Sequence, residues 1–276
     1  MGTGILYVVA TPIGNLSDAS PRSIEVLRGA AIVACEDTRT TRTLLARHGI
    51  GARTMALHAH NERAAAAKLL AALRDGKYVA LVSDAGTPAL SDPGALLVEA
   101  AHREGIRVVP VPGPSAAAAA FSAAGFAADR FLFAGFLPAA RAARLKALEE
   151  LDLPWPVIVY EAPHRIAETL EDLAQRFGPE REIVIARELT KKFEEVARLP
   201  LGKACAWLDA EPHRRQGEFV LVLAPGERRP PAEVDAGRVL DALLEALAPS
   251  EAARIAARIT GIARGVLYRR ALERRK

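Results

Sequence analysis

Cysteine is scarce in this sequence of 276 residues, which contains two, Cys35 and Cys205. They lie far apart in apolar surroundings and form no CxxC pair, so a disulfide framework is excluded and a reducing compartment is indicated. The N-terminal stretch MGTGILYVVATPIG has no charged region before its short apolar run, which argues against a signal peptide. We therefore expect a cytoplasmic protein.

The common glycine motifs of nucleotide binding are also missing. No GxGxxG follows the first predicted strand, and GxxxxGK followed by Ser or Thr occurs nowhere, which argues against dinucleotide oxidoreductases and P-loop NTPases. The uncharged stretch 108–128 contains Pro110, Pro112 and Pro114 and is rich in alanine. It suits a strand, a turn and a helix rather than a membrane span.

Positive charge is concentrated near the end of the sequence. The formal net charge is +4, whereas residues 251–276 hold eight Arg or Lys and two Glu, a net of +6. A basic tail on a slightly acidic body fits contact with a polyanion, and a solvated helix face is the alternative.

Short continuous apolar runs alternate with helical patterns over most of the chain, which favours parallel or mixed sheets covered on both faces. The predicted strands cover 5–10, 31–35, 54–58, 78–83, 107–112, 130–136, 156–162, 181–189, 194–202 and 217–225. We expect α/β domains at 1–113 and 114–226, a linker at 227–237 and a basic helical module at 238–276. Two short helices joined through Thr260 and Gly261 have helix-turn-helix proportions, which any small helical bundle shares.

Four polar side chains occupy positions typical of helix N-caps: Ser20, Asn61, Asp92 and Ser250. Pro21 supports the first of them, because proline is favoured at the first position of a helix.

Three irregular loops follow predicted strands, namely TPIGN (11–15), SDAGTP (83–88) and PGPSA (112–116). Ligands of open α/β sheets bind at the carboxyl ends of strands. Any one loop could be an ordinary turn, but three together predict a ligand site, where Asp84 or Ser115 would bind hydroxyl or amino groups. His58 and His60 alternate at strand spacing, but no third ligand has suitable spacing, so no metal is expected.

Ionisable residues cluster at two strand ends of the second half, YEAPHR (160–165) and ARELTK (186–191). Each residue alone fits a surface rim. Together they predict an anion-facing cleft between the two halves.

The chain carries a series of motifs in a fixed order: TPIGNLSD, ACEDTR, ALHAHNE, LVSDAGTPALSDPG, VVPVPGPSA, FLFAGFLP, YEAPHR and ARELTK. From about residue 5 to residue 225 this series resembles the bacterial 16S rRNA (cytidine-2′-O)-methyltransferase branch of the tetrapyrrole methylase superfamily. The resemblance implies two α/β domains with S-adenosylmethionine bound between them, usually in a homodimer. TPIGNLSD stands where tetrapyrrole-making relatives carry GxGxGxxxL, and SDAGTP stands where they carry a GDP-type loop, which argues against a porphyrinoid substrate.

The resemblance also implies roles for individual residues. Cofactor contacts are expected from Pro12, Gly14, Asp84, Gly86, Thr87, Ser115, Ala116 and Tyr160. Asp92, Pro93 and Gly94 are expected only to start the following helix. The resemblance does not indicate which group is the general base. Our candidates for the base are Glu161, Glu188 and Lys191, and the catalytic group also includes Arg187, which with Arg165 is expected to bind phosphate. Further RNA contacts are expected from Arg39, Arg269 and Arg270.

The function implied is S-adenosylmethionine-dependent 2′-O-methylation of a cytidine in the decoding region of 16S rRNA. The rRNA is expected to be methylated within the small ribosomal subunit, with free rRNA as the alternative. Two alternatives stay open at this point. One is a tetrapyrrole C-methyltransferase of the same fold, and the other is a non-catalytic RNA-binding assembly factor that uses the basic tail.

Overall fold

A computed structural model describes residues 4–226 and 236–273 of the chain. They form two compact units, Met1–Pro225 and Gly226–Lys276. In the described part of the chain, no helix is long and apolar enough to cross a membrane.

The first half of the larger unit alternates strands and helices: β1 (Ile5–Val9), α1 (Pro21–Gly29), β2 (Ile32–Cys35), α2 (Thr38–Arg47), β3 (Arg53–Ala56), α3 (Glu62–Arg74), β4 (Val79–Leu81), α4 (Ala95–Arg103) and β5 (Arg107–Val111). The strands pair in the order β3-β2-β4-β1-β5, and every pairing is parallel. Apolar clusters cover both faces of this sheet, which is why its strands are continuously hydrophobic.

The second half of this unit contains α5 (Ala116–Ala124), β6 (Leu132–Phe136), α6 (Arg141–Glu149), β7 (Val157–Glu161), α7 (Ile166–Phe177), β8 (Glu182–Arg187), β9 (Glu195–Pro200), α8 (Ala204–Asp209) and β10 (Phe219–Leu223). Its sheet order is β6-β7-β10-β8-β9, with β6 and β7 parallel and the other pairs antiparallel. The two predicted α/β halves are therefore present. Helix α5 packs its alanines on the second sheet, not on the first.

The smaller unit has three helices around one apolar cluster, α9 (Ala236–Leu244), α10 (Pro249–Thr260) and α11 (Arg264–Glu273). Gly261 ends α10 in the left-handed conformation that favours glycine. Most of the predicted linker, 227–235, lies outside the described residues. The predicted helical module starts earlier than expected, because Ala236 and Gly237 already belong to α9.

Only one of the four predicted helix caps is confirmed. Ser20 accepts a hydrogen bond of 3.0 Å from the Ser23 N–H at the start of α1. The Asn61 side chain instead accepts from the His58 N–H and donates to the Ala56 carbonyl. Ser250 lies inside α10, whose first residue is Pro249 and whose N-cap is Ala248, so the helix begins two positions earlier than predicted.

Asp92 does not cap α4. The N-cap is Gly94, with φ of +126°. The backbone N–H groups of Gly94 and Leu96 both donate to Glu62 Oε1, at 2.8 and 3.1 Å. Glu62, at the start of α3, therefore binds the free N–H groups at the start of α4. The Asp92 carboxylate, although adjacent to α4 in sequence, does not bind them.

Candidate active site

The loops after β1, β4 and β5 lie side by side, because these strands are neighbours in the first sheet. Thr11 and Gly86 exchange backbone hydrogen bonds, at 2.9 Å from the Thr11 N–H and 3.1 Å from the Gly86 N–H. The Thr87 hydroxyl donates to the Pro114 carbonyl at 3.2 Å and ties in the third loop. Gly86 has φ of +80°, and a Cβ there would lie 3.3 Å from Ile13 Cγ2. Glycine thus permits the close approach of the first two loops.

A cavity of about 430 Å³ opens where these loops face the second sheet, and its size suits a small ligand. Six of the eight residues expected to contact the cofactor line it: Asp84, Gly86, Thr87, Ser115, Ala116 and Tyr160. Their part in binding stays a prediction. The Tyr160 and Phe136 rings, with centroids 5.6 Å apart, form an apolar wall contributed by the second sheet.

The cavity is acidic. Four of its lining side chains are carboxylates, those of Asp84, Asp92, Glu161 and Glu218. The described lining contains no Arg, Lys or His side chain. Such a surface attracts a cationic ligand and repels phosphate.

Asp92 is the lining residue whose protonation is most perturbed. Burial, followed by the charges of Glu36 and Asp84, raises its pKa to about 6, although a hydrogen bond from Ser83 opposes the rise. Burial and the charge of Asp84 also raise the pKa of Glu36, while His58 lowers it. Desolvated carboxylates with shifted pKa values in a cleft are typical of functional sites. Asp92 was expected only to start α4. The local sequence gives no sign that it lines the cavity, because the residue that caps α4 in its place, Glu62, is remote in sequence.

Glu161 lines the cavity, but its carboxylate is already engaged within the protein. Glu161 Oε2 accepts from the Thr169 hydroxyl at 2.6 Å and from Arg165 Nη2 at 3.3 Å. Arg165 also donates to the Leu137 carbonyl at 2.7 Å. Arg165, which was expected to bind RNA phosphate, therefore pairs with a buried carboxylate in this structure, and its contact with RNA stays a prediction.

Arg187, which was expected to bind substrate phosphate, is bound by other groups of the protein in this structure, and its phosphate contact stays a prediction. Arg187 is buried and is not among the residues that line the cavity. Its guanidinium donates to the carbonyls of Gln216, Phe193 and His213, at 2.7, 3.0 and 2.7 Å, and pairs with Glu195. These contacts hold two loops together.

Glu188 and Lys191 bind each other instead of opening onto the cavity. Lys191 Nζ donates to Glu188 Oε1 at 2.8 Å and to Glu218 Oε2 at 2.9 Å. Burial raises the pKa of Glu188, but the hydrogen bonds from Lys191 and the Glu218 N–H outweigh it and hold that pKa below its usual value. Neither residue is among those lining the cavity, and their role as candidates for the general base stays a prediction.

The two remaining residues of the expected cofactor set lie in the first loop but outside this cavity. Pro12 lines a second cavity of about 250 Å³, which shares Asp84 with the first and is rich in threonine. Gly14 packs against the ARELTK segment, where a Cβ would lie 2.5 Å from Lys191 Cγ and 3.0 Å from the Leu189 carbonyl oxygen. Gly14 is therefore needed where the two halves meet, and the cofactor contacts expected of Pro12 and Gly14 stay a prediction.

The residues expected to contact RNA include three whose side chains are exposed. Arg39 is exposed over 87% of its side chain and bonds Asp37 at 2.7 Å. This pairing lowers the pKa of Asp37 to about 2. In the smaller unit, Arg269 and Arg270 are exposed on α11, and the other exposed basic residues described there are Arg238, Arg254, Arg258 and Arg264.

The His58 and His60 rings pack in a T-shaped arrangement, with centroids 6.1 Å apart. Within residues 4–226 and 236–273, no group of three or more His, Cys, Asp or Glu side chains is arranged to hold a metal ion.

Comparison with known proteins identifies the fold and the relatives of this chain. Residues 5–205 match the tetrapyrrole (corrin/porphyrin) methylases, and residues 230–275 match the RsmI C-terminal HTH domain. The ribosomal RNA small subunit methyltransferase I of Pseudomonas aeruginosa is 49% identical over 281 residues, covering 99% of both chains. The protein of that name from Xylella fastidiosa is 51% identical over 267 residues, covering 96% of this chain and 98% of that protein.

A solved structure shares the fold at low sequence identity. It is uroporphyrin-III C-methyltransferase from Thermus thermophilus, complexed with S-adenosylhomocysteine, with a TM-score of 0.54 and 18% identity over 81% of this chain and 97% of that one. The chain therefore belongs to the tetrapyrrole (corrin/porphyrin) methylase family, in the group of the ribosomal RNA small subunit methyltransferase I proteins.

Proposed function

We propose that this protein transfers the methyl group of S-adenosylmethionine to the ribose 2′-hydroxyl of a cytidine in the decoding region of 16S rRNA. The near full-length relatives named ribosomal RNA small subunit methyltransferase I support the RNA substrate. The observation that carries the proposal is the acidic cavity at the carboxyl ends of β1, β4 and β5, which is suited to a cation.

The lining fits S-adenosylmethionine, whose sulfonium and amino groups are positively charged. A ligand can closely approach the backbone of Gly86, Thr87 and Ala116, which line the cavity. The Asp84 carboxylate would bind the ribose or the methionine portion of the cofactor. Tyr160 and Phe136 offer apolar surface for a flat base. When bound, the cofactor supplies an electrophilic methyl group to an oxygen nucleophile.

Because a ribose hydroxyl is a very weak acid, the protein must position it against the methyl group, keep water away from both and provide a proton acceptor. The Tyr160 and Phe136 rings provide an apolar surface on one side of the cavity, which lowers the local polarity. A dry site favours the reaction, since the charge on the cofactor and the charge developing on the oxygen cancel. The described lining has no cationic side chain, so phosphate contacts must lie outside the cavity.

Exposed arginines outside the cavity are suited to the RNA backbone. We assign this role to Arg39 and to the basic helices of the smaller unit, including Arg269 and Arg270. The substrate is proposed to be the RNA within the small ribosomal subunit, in the cytoplasm. A homodimer is also proposed. It is supported by apolar side chains exposed beside β9, the edge strand of the second sheet, such as Phe193 and Val196.

Labelled S-adenosylmethionine tests the reaction with small subunits and with free 16S rRNA. A ribose 2′-O-methyl group blocks alkaline cleavage, so one resistant linkage should appear at a cytidine in a hydrolysis ladder. Label on a base, on a tetrapyrrole or on neither RNA would refute the proposal. Failure to bind S-adenosylmethionine would point to a non-catalytic RNA-binding protein. Replacement of Arg269 and Arg270 by alanine should weaken RNA binding and spare cofactor binding.

A further inference from the structure

Asp92 does not form the helix cap that its position in the sequence predicts. It lies in Ser91-Asp92-Pro93-Gly94, directly before α4, where an aspartate ordinarily binds the free N–H groups of the helix. Those groups are instead bound by Glu62, as described above. The Asp92 carboxyl is thereby left to line the cavity.

The backbone that presents Asp92 is held in an unusual conformation. Ala89 and Ser91 have φ of +65° and +66°, in the left-handed region that residues other than glycine rarely adopt. Opposite them, Gly135 of β6 has φ of +66°, and a Cβ there would lie 2.9 Å from Ser91 Oγ. The segment thus reaches from the first sheet to the second, and the missing side chain of Gly135 admits it. Backbone strain of this kind persists where the surroundings enforce it, often at active sites.

The other cavity carboxylates already have partners. Asp84 Oδ1 accepts from the Asp37 N–H at 2.9 Å, Glu161 is bound by Thr169 and Arg165, and Glu218 is bound by Lys191. In the described part of the chain, no salt bridge involves Asp92. Its remaining neighbour contact is the hydrogen bond from Ser83.

The charges that face Asp92 come from several elements. Glu36 follows β2 and has His58 beside it, Asp84 follows β4, and Tyr160 lies on β7 across the cavity. Glu161 and Glu218 line the same cavity, and Glu62 binds the helix that Asp92 precedes. Since the nearby carboxylates repel a further negative charge, a cation entering the cavity favours the ionised form of Asp92.

We propose that Asp92 accepts the proton of the ribose hydroxyl as the methyl group is transferred. This inference rests on the proposed function. The hydroxyl oxygen forms a bond to the methyl carbon, the carbon–sulfur bond breaks and its electron pair stays on sulfur, and the O–H proton passes to the Asp92 carboxylate. With the positive charge gone from the cavity, Asp92 holds the proton until it is released to water. The raised pKa of about 6 in the free protein suits this cycle.

The test compares Asp92→Asn and Asp92→Glu with the wild type, with Glu99→Gln as the matched control. Glu99 is an exposed carboxylate on α4, paired only with Arg103 among the described residues. D92N should lower kcat at least about 100-fold, the lower end for general acid–base catalysis, with KM for RNA nearly unchanged. D92E keeps a carboxylate and should recover part of kcat together with the acid limb of the pH–rate profile. E99Q should behave as the wild type.

A second measurement is independent of turnover. Calorimetry of S-adenosylmethionine binding in buffers of different ionisation enthalpy counts the protons released. At pH 6, cofactor binding to the wild type should release up to about half a proton from Asp92. Binding to D92N should release fewer protons by this amount. Wild-type kcat in D92N, or equal proton release from both proteins, would overturn the assignment of Asp92. If the wild type itself leaves no label on a ribose oxygen, the proposed function fails instead.

Discussion

The Glu62 carboxylate accepts a hydrogen bond of 2.8 Å from the backbone N–H of Gly94, across 32 positions of the sequence. This contact joins the N-terminus of α3 to that of α4. It satisfies N–H groups that a helix cannot bind internally, and it places negative charge where the helix dipole favours it. Through α4, Glu62 also sets the position of the segment that carries Asp92.

Replacement of Glu62 by alanine is expected to lower the free energy of unfolding by about 1–2 kcal/mol, as for loss of a helix cap. Glu62→Gln keeps an oxygen acceptor and should lose less. Urea denaturation gives the stabilities, and initial rates give the effect on catalysis. If the alanine variant is as stable as the wild type, the contact does not cap α4 in solution.

Asp92→Asn is expected to stabilise the protein while it inactivates the enzyme. The folded-state pKa of about 6 lies above the usual 3.8, so the ionised carboxylate destabilises the fold above pH 6, and this cost fades as the pH falls toward 4. The variant should therefore gain about 1–3 kcal/mol at pH 7.5 and nothing near pH 4. Thermal or urea unfolding at both pH values measures the gain. A loss of stability at pH 7.5 would show that Asp92 has a structural role.

Arg187→Met should act on folding, because the change removes the shared donor of three backbone carbonyls and of Glu195. A loss of about 1–3 kcal/mol is expected for acceptors left unsatisfied, since Glu195 keeps its pair with Arg214. Urea unfolding measures it, and RNA titrations at several salt concentrations serve as the second readout. A stable variant whose RNA binding depends less on salt would restore the phosphate-binding role.

Arg39→Ala should act on RNA binding and leave stability within about 0.5 kcal/mol of the wild type, because the side chain is exposed. Loss of one phosphate contact should reduce the slope of log affinity against log salt by about one unit. Fluorescence anisotropy with an rRNA fragment at about 50 to 200 mM salt measures this slope, because phosphate contacts depend strongly on salt in that range. An unchanged slope would place Arg39 outside the RNA interface.

Gly14→Ala should disturb the contact between the TPIGN loop and the ARELTK segment. The new Cβ would lie 2.5 Å from Lys191 Cγ and 3.0 Å from the Leu189 carbonyl oxygen. Overpacking of this kind costs about 1–3 kcal/mol, and S-adenosylmethionine binding should weaken because Leu189 lines the cavity. Gly29→Ala is the control, since a Cβ at Gly29 meets nothing within 4 Å. Wild-type affinity and stability in both variants would show that the two loops are not tightly packed.

Much of the architecture was determined by local sequence. Continuous apolar runs predicted the strands of both sheets, since such runs can be buried on two faces. Ser20 was identifiable as a cap because its acceptor and the N–H that it binds are three residues apart. The loops around Gly86 and Ser115 were recognisable because glycine, proline and short polar residues interrupted those runs.

Tertiary structure decided which of these residues form the site. The strand order β3-β2-β4-β1-β5 brings the loops of residues 11–15, 83–88 and 112–116 together, although the first is separated from the second by about 70 residues and from the third by about 100. Sequence named Arg187 as a ligand of phosphate because it is charged, but in the fold its guanidinium binds three carbonyls. Sequence named Asp92 as a cap because a helix follows it, but Glu62 took that position through space. Residue type determines which kinds of group a side chain can bind. The group that it does bind depends on which residues, remote in sequence, the fold places next to it.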